Sequence, residues 1–435
     1  METRKHDVIV IGGGPAGATA ATVLAREGKS VLVLEKEHFP RFHVGESLLP
    51  YNRDIFEEIG VWEEIQGAGF MVKKAAQFAM ADGEPRARLE FAKGAFTEKP
   101  SAFQVERSRF DEILLRHAER QGARVTEGAR VTAHEILEDH VKVRYHKDGG
   151  EQVEVEAKFL LDATGMASLT GVQEGIPRVR EGHRKVAVFG HFKRVEMPVG
   201  EEEGDIHLIV GKNSWFWMIP LSPEKVSIGL VISREDYSSH GGKPGSVFNA
   251  IVEATPELHR RMRAAEREGE IHVITDYSFE LDRMVSPRLI RVGDAAGFMD
   301  PVFSSGVMLA MQTGRDGARC ALSALAADVS MTAEMRAYES KTREVMSRFW
   351  HFIENYYTLN FIDLFLQPKP VLRLTSAINA VLAGRPELPW KVRWRLKVFF
   401  TLVWLQKWVP VVPRISWSGT RSPGMVGLSS VTSPG

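Results

Sequence analysis

Residues 7–17 read DVIVIGGGPAG. The apolar run 7–11 is of strand type, and Gly12-x-Gly14-x-x-Gly17 leads directly into an alanine-rich helix that takes in Ala16 and runs to Glu27. Strand, tight turn and helix start are the context a dinucleotide fingerprint requires. The first glycine makes the turn. The second lets a pyrophosphate approach the backbone, and the third lets helix and strand pack closely. The helix start then offers free N–H groups and the positive end of its dipole to the diphosphate. A second strand, residues 30–34, ends at Glu35, where a carboxylate about 20 residues on is placed to accept from a ribose hydroxyl, with Lys36 beside it.

Outward from that unit, composition sets bounds. At 435 residues the chain has room for two or three domains. Its 56 basic and 56 acidic residues cancel, so no bulk charge argues for a nucleic-acid partner. Cys320 is the only cysteine, which excludes an internal disulfide and a multi-cysteine metal site. No histidine spacing of metal-site type occurs, so no metal site is expected. The N-terminus enters the first strand without an apolar signal region, and no run reaches a spanning length, so a cytoplasmic protein is expected.

Loop residues 39–51, FPRFHVGESLLPY, follow the first unit, and Arg41, Glu46 and Ser47 carry groups able to bond a cofactor. GFMVKKAAQFAM, residues 69–80, reads as a strand, so Lys73 and Lys74 face opposite sides. Residues 102–122 read as a helix with Ser108 and Asp111 as a cap pair and Gly122 as its stop. Arg107, just ahead of that helix, is the cation expected at the cofactor phosphate, with Arg109 its neighbour. KFLLDATG, residues 158–165, is a strand that delivers Thr164 and Gly165 to the cofactor. Alternating runs between residues 185 and 283 predict an antiparallel sheet inserted into the first domain. Residues 289–314, LIRVGDAAGFMDPVFSSGVMLAMQTG, return to the cofactor: Asp294 is placed to bond a sugar-alcohol chain, and Ser304-Ser305-Gly306 open a helix whose N–H groups make an anion site. A capping turn supplied by Ser305 is the plainer alternative there.

The expected fold is therefore α/β: a Rossmann-type dinucleotide-binding domain formed by residues 1–184 and 284–330, an antiparallel-sheet substrate domain over 185–283, a helical C-terminal region over 331–415 and a flexible tail over 416–435. Residues 390–413, WKVRWRLKVFFTLVWLQKWVPVVP, mix aromatics with cations. They read first as a helix packed on the protein's own core with basic stems reaching out, and second as a membrane-surface contact.

With these pieces in place the chain resembles the flavin-dependent halogenases, within the two-domain FAD monooxygenases. The resemblance spans roughly residues 5 to 330. GGGPAG is common to the whole class. FPRFHVGESLLP, DPVFSSGV and above all Trp215-Phe216-Trp217-Met218-Ile219-Pro220, which matches WxWxIP, are similar to the halogenase forms. The likeness is closer to halogenases of phenols and pyrroles than to the longer tryptophan halogenases. It implies FAD as cofactor, with Pro301 and Val307 joining Gly12, Gly14, Ala16, Gly17, Glu35, Lys36, Arg41, Glu46, Ser47, Arg107, Thr164, Gly165, Asp294 and Gly306 around it. It implies that FADH2 and O2 turn chloride or bromide, held at Ser304, Ser305 and Gly306, into hypohalous acid. Lys73, in the family's GFxxK pattern, would pass the halogen to an electron-rich phenol, pyrrole or indole, free or tethered to a carrier protein. Trp215 and Trp217 would wall the substrate from the flavin. A separate flavin reductase is the implied partner. An FAD hydroxylase or prenyl-lipid reductase on the same fold is the rival reading; a flavin-binding module without catalysis is a second.

Overall fold

A computed structural model describes residues 5–181, 185–211, 214–275, 278–367 and 371–415; the expected tail over 416–435 lies outside them. Strand Lys5–Ile11 sits at the centre of a parallel sheet between Gln152–Asp162 and Val31–Leu34, with Val8 opposite both Phe159 and Val31. The order across the sheet is 285–286, 289–291, 152–162, 5–11, 31–34, 124–126, and the strands 129–136 and 141–147 join it through an antiparallel pairing with 152–162. Continuous apolar sequence explains the central position, since strands buried on both faces have no polar side to show. Helix Pro15–Arg26 follows the first strand, and the long helix Gly306–Ala327 packs across it. Glycine makes both joints close. A Cβ at Gly17 would run into Gly12 O, and one at Gly314 into Ala16 O.

The second sheet has seven strands in the order 266–275, 185–193, 226–233, 214–220, 206–210, 75–80, 86–90. It reaches beyond the 185–283 insertion, because AAQFAM and RARLE pair as a hairpin and add to its edge, with 75–80 running parallel to 206–210. The period-2 alternation of its strands decides what each face meets. Phe189, Leu208, Trp215, Trp217 and Val231 face the main core. Val188, Phe216, Met218 and Ile228 face a separate core closed by helices Pro244–Glu253 and Pro256–Arg261. Helices Ala333–Tyr356, Leu359–Phe365, Leu374–Leu382 and Trp390–Gln406 follow, and Phe365 meets Phe78 of strand 75–80 ring to ring at 4.7 Å.

One helix start differs from the sequence reading. The helix is Arg107–Arg120 with Glu106 at its N-cap, and no side chain caps it. Asp111 is instead drawn to Arg107, one turn before it, because a buried carboxylate gains more from a guanidinium than from one backbone N–H.

Candidate active site

The glycine turn fits an FAD diphosphate. Gly14 sits at the N-cap of Pro15–Arg26, and a Cβ there would meet only Arg41 Nη2, 3.4 Å away, so the turn is open on the side of loop 39–51. Gly12 adopts φ +103°, and a Cβ on it would strike Ala163 O, which brings Thr164 and Gly165 beside the turn. Glu35 is buried and accepts from Gly13 N (2.6 Å) and Glu37 N (2.9 Å). Lys36 is exposed and pairs with Glu37 at 3.5 Å. Thr164 bonds Asp162 through both its N–H and its hydroxyl (2.9 and 2.6 Å). Asp294 lies partly buried in the turn Gly293–Ala295, against Ala16 through Gly293. Burial pushes its carboxyl up to about 7, opposed by the Arg107 charge, so at neutral pH it can donate a hydrogen bond to a hydroxyl.

Loop 39–51 departs from its expected role. Arg107 is the first residue of its helix, and its guanidinium is committed to protein: two bonds to Asp111 (2.7 and 2.8 Å), one each to Val44 O (2.5 Å) and Gly45 O (3.2 Å). Arg41, ion-paired to the same Asp111 at 3.1 Å, is the cation beside Gly14. Arg109 stacks over Phe70. Glu46 and Ser47, read from sequence as cofactor ligands, bond protein instead: Glu46 Oε1 lies 2.7 Å from His191 Nε2, and Ser47 Oγ accepts from Lys73. Glu46 thus reaches strand 185–193 of the second sheet, whereas Ser47 meets strand Met71–Lys73, which pairs separately with Ala102–Gln104.

Lys73 ends the short strand Met71–Lys73 and turns inward, while Lys74 is exposed. The Lys73 side chain is 1% exposed. Its Nζ donates to Ser47 Oγ at 2.8 Å and Leu48 O at 3.0 Å and lies 5.6 Å from the Phe91 ring centre. Burial lowers its ammonium from 10.5 to about 7, and the charge of Asp205 works against that shift. The strand is held from behind by Gly204, where a Cβ would strike Val72 O, and Gly204 O accepts from the buried Gln104 (3.0 Å).

Trp215 and Trp217 lie side by side on the core face of strand Ser214–Pro220, ring centres 5.8 Å apart. Trp217 lies flat over Gly229, which has no Cβ to clash, and donates to Ser227 Oγ (3.2 Å). Trp215 Nε1 donates to Tyr357 OH (2.9 Å), and that hydroxyl donates to Asp300 Oδ2 (2.7 Å). Asp300 Oδ1 accepts from Val302 N and so shapes the turn Pro301–Phe303 that precedes Ser304. Ser304 is left-handed (φ +56°), and its N–H is taken by Pro301 O. Ser305 is buried, yet its side chain caps nothing. Among the described residues the N–H groups of Ser305, Gly306 and Val307 bond no backbone carbonyl, and Val307 lies against Gly45.

Sequence reasoning missed Tyr357 and His191, and named Asp111 only as a helix cap. The four-residue spacing of Arg107 and Asp111 on one helix was a usable signal. Tyr357 had none, because it lies in a helical region with no motif and meets Trp215 only through the fold.

An FAD-binding-domain family matches residues 5–354. The chain is 32% identical over 396 residues to the 1H-pyrrole-2-carbonyl-[peptidyl-carrier protein] chlorinase of Pseudomonas fluorescens, covering 86% of this chain and 88% of the relative. It is 34% identical over 359 residues to tryptophan 2-halogenase of Chondromyces crocatus, covering 81% and 68%. Among solved structures, a flavin-dependent brominase superposes with a TM-score of 0.83 at 26% identity, covering 93% of this chain and 99% of that one. A flavoprotein/dehydrogenase of Cytophaga hutchinsonii superposes with a TM-score of 0.86 at 28% identity, covering 93% and 99%. These matches span most of the chain: this chain is a member of the FAD-binding flavin-dependent halogenases.

Proposed function

We propose that the chain makes hypohalous acid from chloride or bromide and delivers the halogen through Lys73 to an electron-rich aromatic. The observation that carries this is a buried amine, held at a fixed place by Ser47 and Leu48 and titrating near 7. When bound, reduced FAD with O2 supplies the oxidising equivalent for the halide. Glu35, Arg41, Thr164, Gly165 and Asp294 are the groups that would hold the cofactor, with the open Gly14 turn for its diphosphate. Ser305 and Gly306 N–H groups hold the halide, and the N-terminal end of Gly306–Ala327 adds positive potential.

Lys73 has two chemistries open to it. As an ammonium it hydrogen-bonds and polarises hypohalous acid. As a neutral amine it takes up the halogen, R–NH2 + HOX → R–NHX + H2O, and returns to the amine when the aromatic ring gives up a proton for the halogen. A group near 7 populates both forms at neutral pH. Trp215 and Trp217 form the wall that keeps substrate from the cofactor ring, and Tyr357 fixes one of them to the halide segment. The parallel-sheet unit acts as the cofactor side, and the seven-stranded sheet, which takes strands 75–80 and 86–90 from before residue 185, as the substrate side. The substrate is a pyrrole or another electron-rich ring, and the carrier-protein substrates named for relatives support a tethered one. A separate reductase supplies FADH2. The test is one reaction with FAD, a generic flavin reductase, NADH, bromide and a panel of free and carrier-bound phenols, pyrroles and indoles, read by mass spectrometry. A bromine isotope pair on a product supports the reading. A product gaining only oxygen moves the chain to hydroxylation.

A further inference from the structure

Helix Trp390–Gln406 buries one face and shows a second apolar face to solvent. Val392, Leu396, Phe399, Val403 and Gln406 recur at three to four residues and are buried. On the opposite side, at the same spacing, stand Trp390, Arg393, Lys397 and Trp404, and Trp408 continues the line. The three tryptophans are 65%, 61% and 64% exposed. Val409, 62% exposed, follows them. Exposed aromatics in line over about 21 Å of helix, from Trp390 to Trp404, are not needed to close the core.

Charge on this region has one sign. Residues 388–415 contain Lys391, Arg393, Arg395, Lys397, Lys407 and Arg414 and no Asp or Glu. Among the described residues Arg393 and Lys397 make no ion pair. Beside the stripe runs a groove of about 590 Å³ between this helix and Ala333–Tyr356. Phe352, Leu396 and Phe400 line it, with Arg348, Arg393 and Lys397 among the lining residues and no acidic side chain. Burial lowers the Arg348 guanidinium and Arg393 adds to that by repulsion, while Glu344, 3.6 Å from Arg348, works against the shift.

We propose that this face docks the protein on an anionic lipid surface. Trp390, Trp404 and Trp408 enter the headgroup layer, Arg393, Lys397 and Lys407 meet lipid phosphates, and the groove takes an acyl chain. Aromatic bodies with wet N–H groups, interleaved with cations whose stems lie along the helix, suit an interface that is apolar on one side and charged on the other. No helix among the described residues is long and apolar enough to cross a membrane, so the contact is peripheral. The inference is independent of the halogenase reaction.

The test is flotation of the full-length holoenzyme with vesicles of phosphatidylcholine alone and of phosphatidylcholine with one third phosphatidylglycerol. Binding to the anionic vesicles, its loss in 1 M salt and a blue shift of tryptophan emission are expected. Each cation is worth about fivefold, so Arg393→Gln/Lys397→Gln/Lys407→Gln lowers partitioning by about 100-fold. Trp390→Ser/Trp404→Ser/Trp408→Ser abolishes insertion while flavin content and turnover of a soluble substrate stay at the parent level. Flavin content and circular dichroism verify the fold of each variant, and the cation variant keeps the test open if the tryptophan variant misfolds. Absence of binding to either vesicle, or equal binding by the variants, overturns the proposal. Salt-sensitive retention on immobilised polyglutamate with no vesicle binding overturns it in favour of an acidic protein partner.

Discussion

Replacing Lys73 by Met tests the buried amine directly. An unfolded lysine titrates near 10.5 and the folded one near 7. Below pH 7 the side chain is charged in both states, and the folded state carries the full cost of burying that charge. Moving the titration from 10.5 to about 7 corresponds to about 5 kcal/mol. As pH rises from 7 to 10.5 the unfolded chain still holds the proton that the folded chain has released, so stability climbs and the cost disappears above 10.5. At pH 9 about 2 kcal/mol of it remains. Met is similar in volume and removes the charge at every pH, while leaving Ser47 and Leu48 without their donor, a loss of about 1–2 kcal/mol that does not depend on pH. Lys73→Met is therefore expected to be the more stable protein at pH 6, with its advantage shrinking by about 3 kcal/mol by pH 9. Urea denaturation of both proteins at pH 6, 7, 8 and 9 measures this, and the same variant is expected to yield no halogenated product. A stability difference that stays constant across that range would refute the claim that the site desolvates the amine.

Further outcomes follow from the close contacts. Gly14→Val is expected to fold normally but purify colourless, since its side chain enters only the space meant for the diphosphate, whereas Gly17→Val collides with Gly12 O and lowers the melting temperature itself; thermal scans and flavin absorbance separate the two. Gly229→Ala drives a methyl into the Trp217 ring and is expected to alter near-ultraviolet circular dichroism and impair halogenation with flavin still bound. Tyr357→Phe removes the acceptor of the Trp215 indole N–H, costing about 1–3 kcal/mol, and is expected to reduce product formation with unchanged flavin affinity; unchanged turnover would show that the tryptophan needs no such anchor.

The cofactor half was legible because its chemistry is local. A turn, a helix start and a strand end fall within consecutive residues, so Gly12, Gly14, Gly17 and Glu35 could be placed by spacing alone. The inward turn of Lys73 followed from strand alternation once a family pattern chose it over Lys74. The protein partners of Glu46 and Ser47 were not legible, because a loop's direction is set by what holds it, and Arg107 is about 60 residues away. Asp111 looked like a cap because the sequence does not reveal that its neighbour is buried with it. The tryptophan helix at the C-terminus was read as core packing first; the structure keeps that face and shows a second that no single hydrophobic stripe would predict.

Loop residues 44–48 bear on how this enzyme can be taken apart. Val44 and Gly45 are clamped by a helix of the nucleotide-binding half, Glu46 grips the opposite sheet, and Ser47 with Leu48 seats the amine. The Lys73 amine is thus held by a segment that Arg107 fixes, and its own strand pairs with Ala102–Gln104 rather than with the seven-stranded sheet. Grafting a relative's seven-stranded sheet alone would leave both Lys73 and its seat behind. A chimera that moves Lys73 with the sheet has to exchange residues 44–48, the paired strands 71–73 and 102–104, and Arg107 as one cassette.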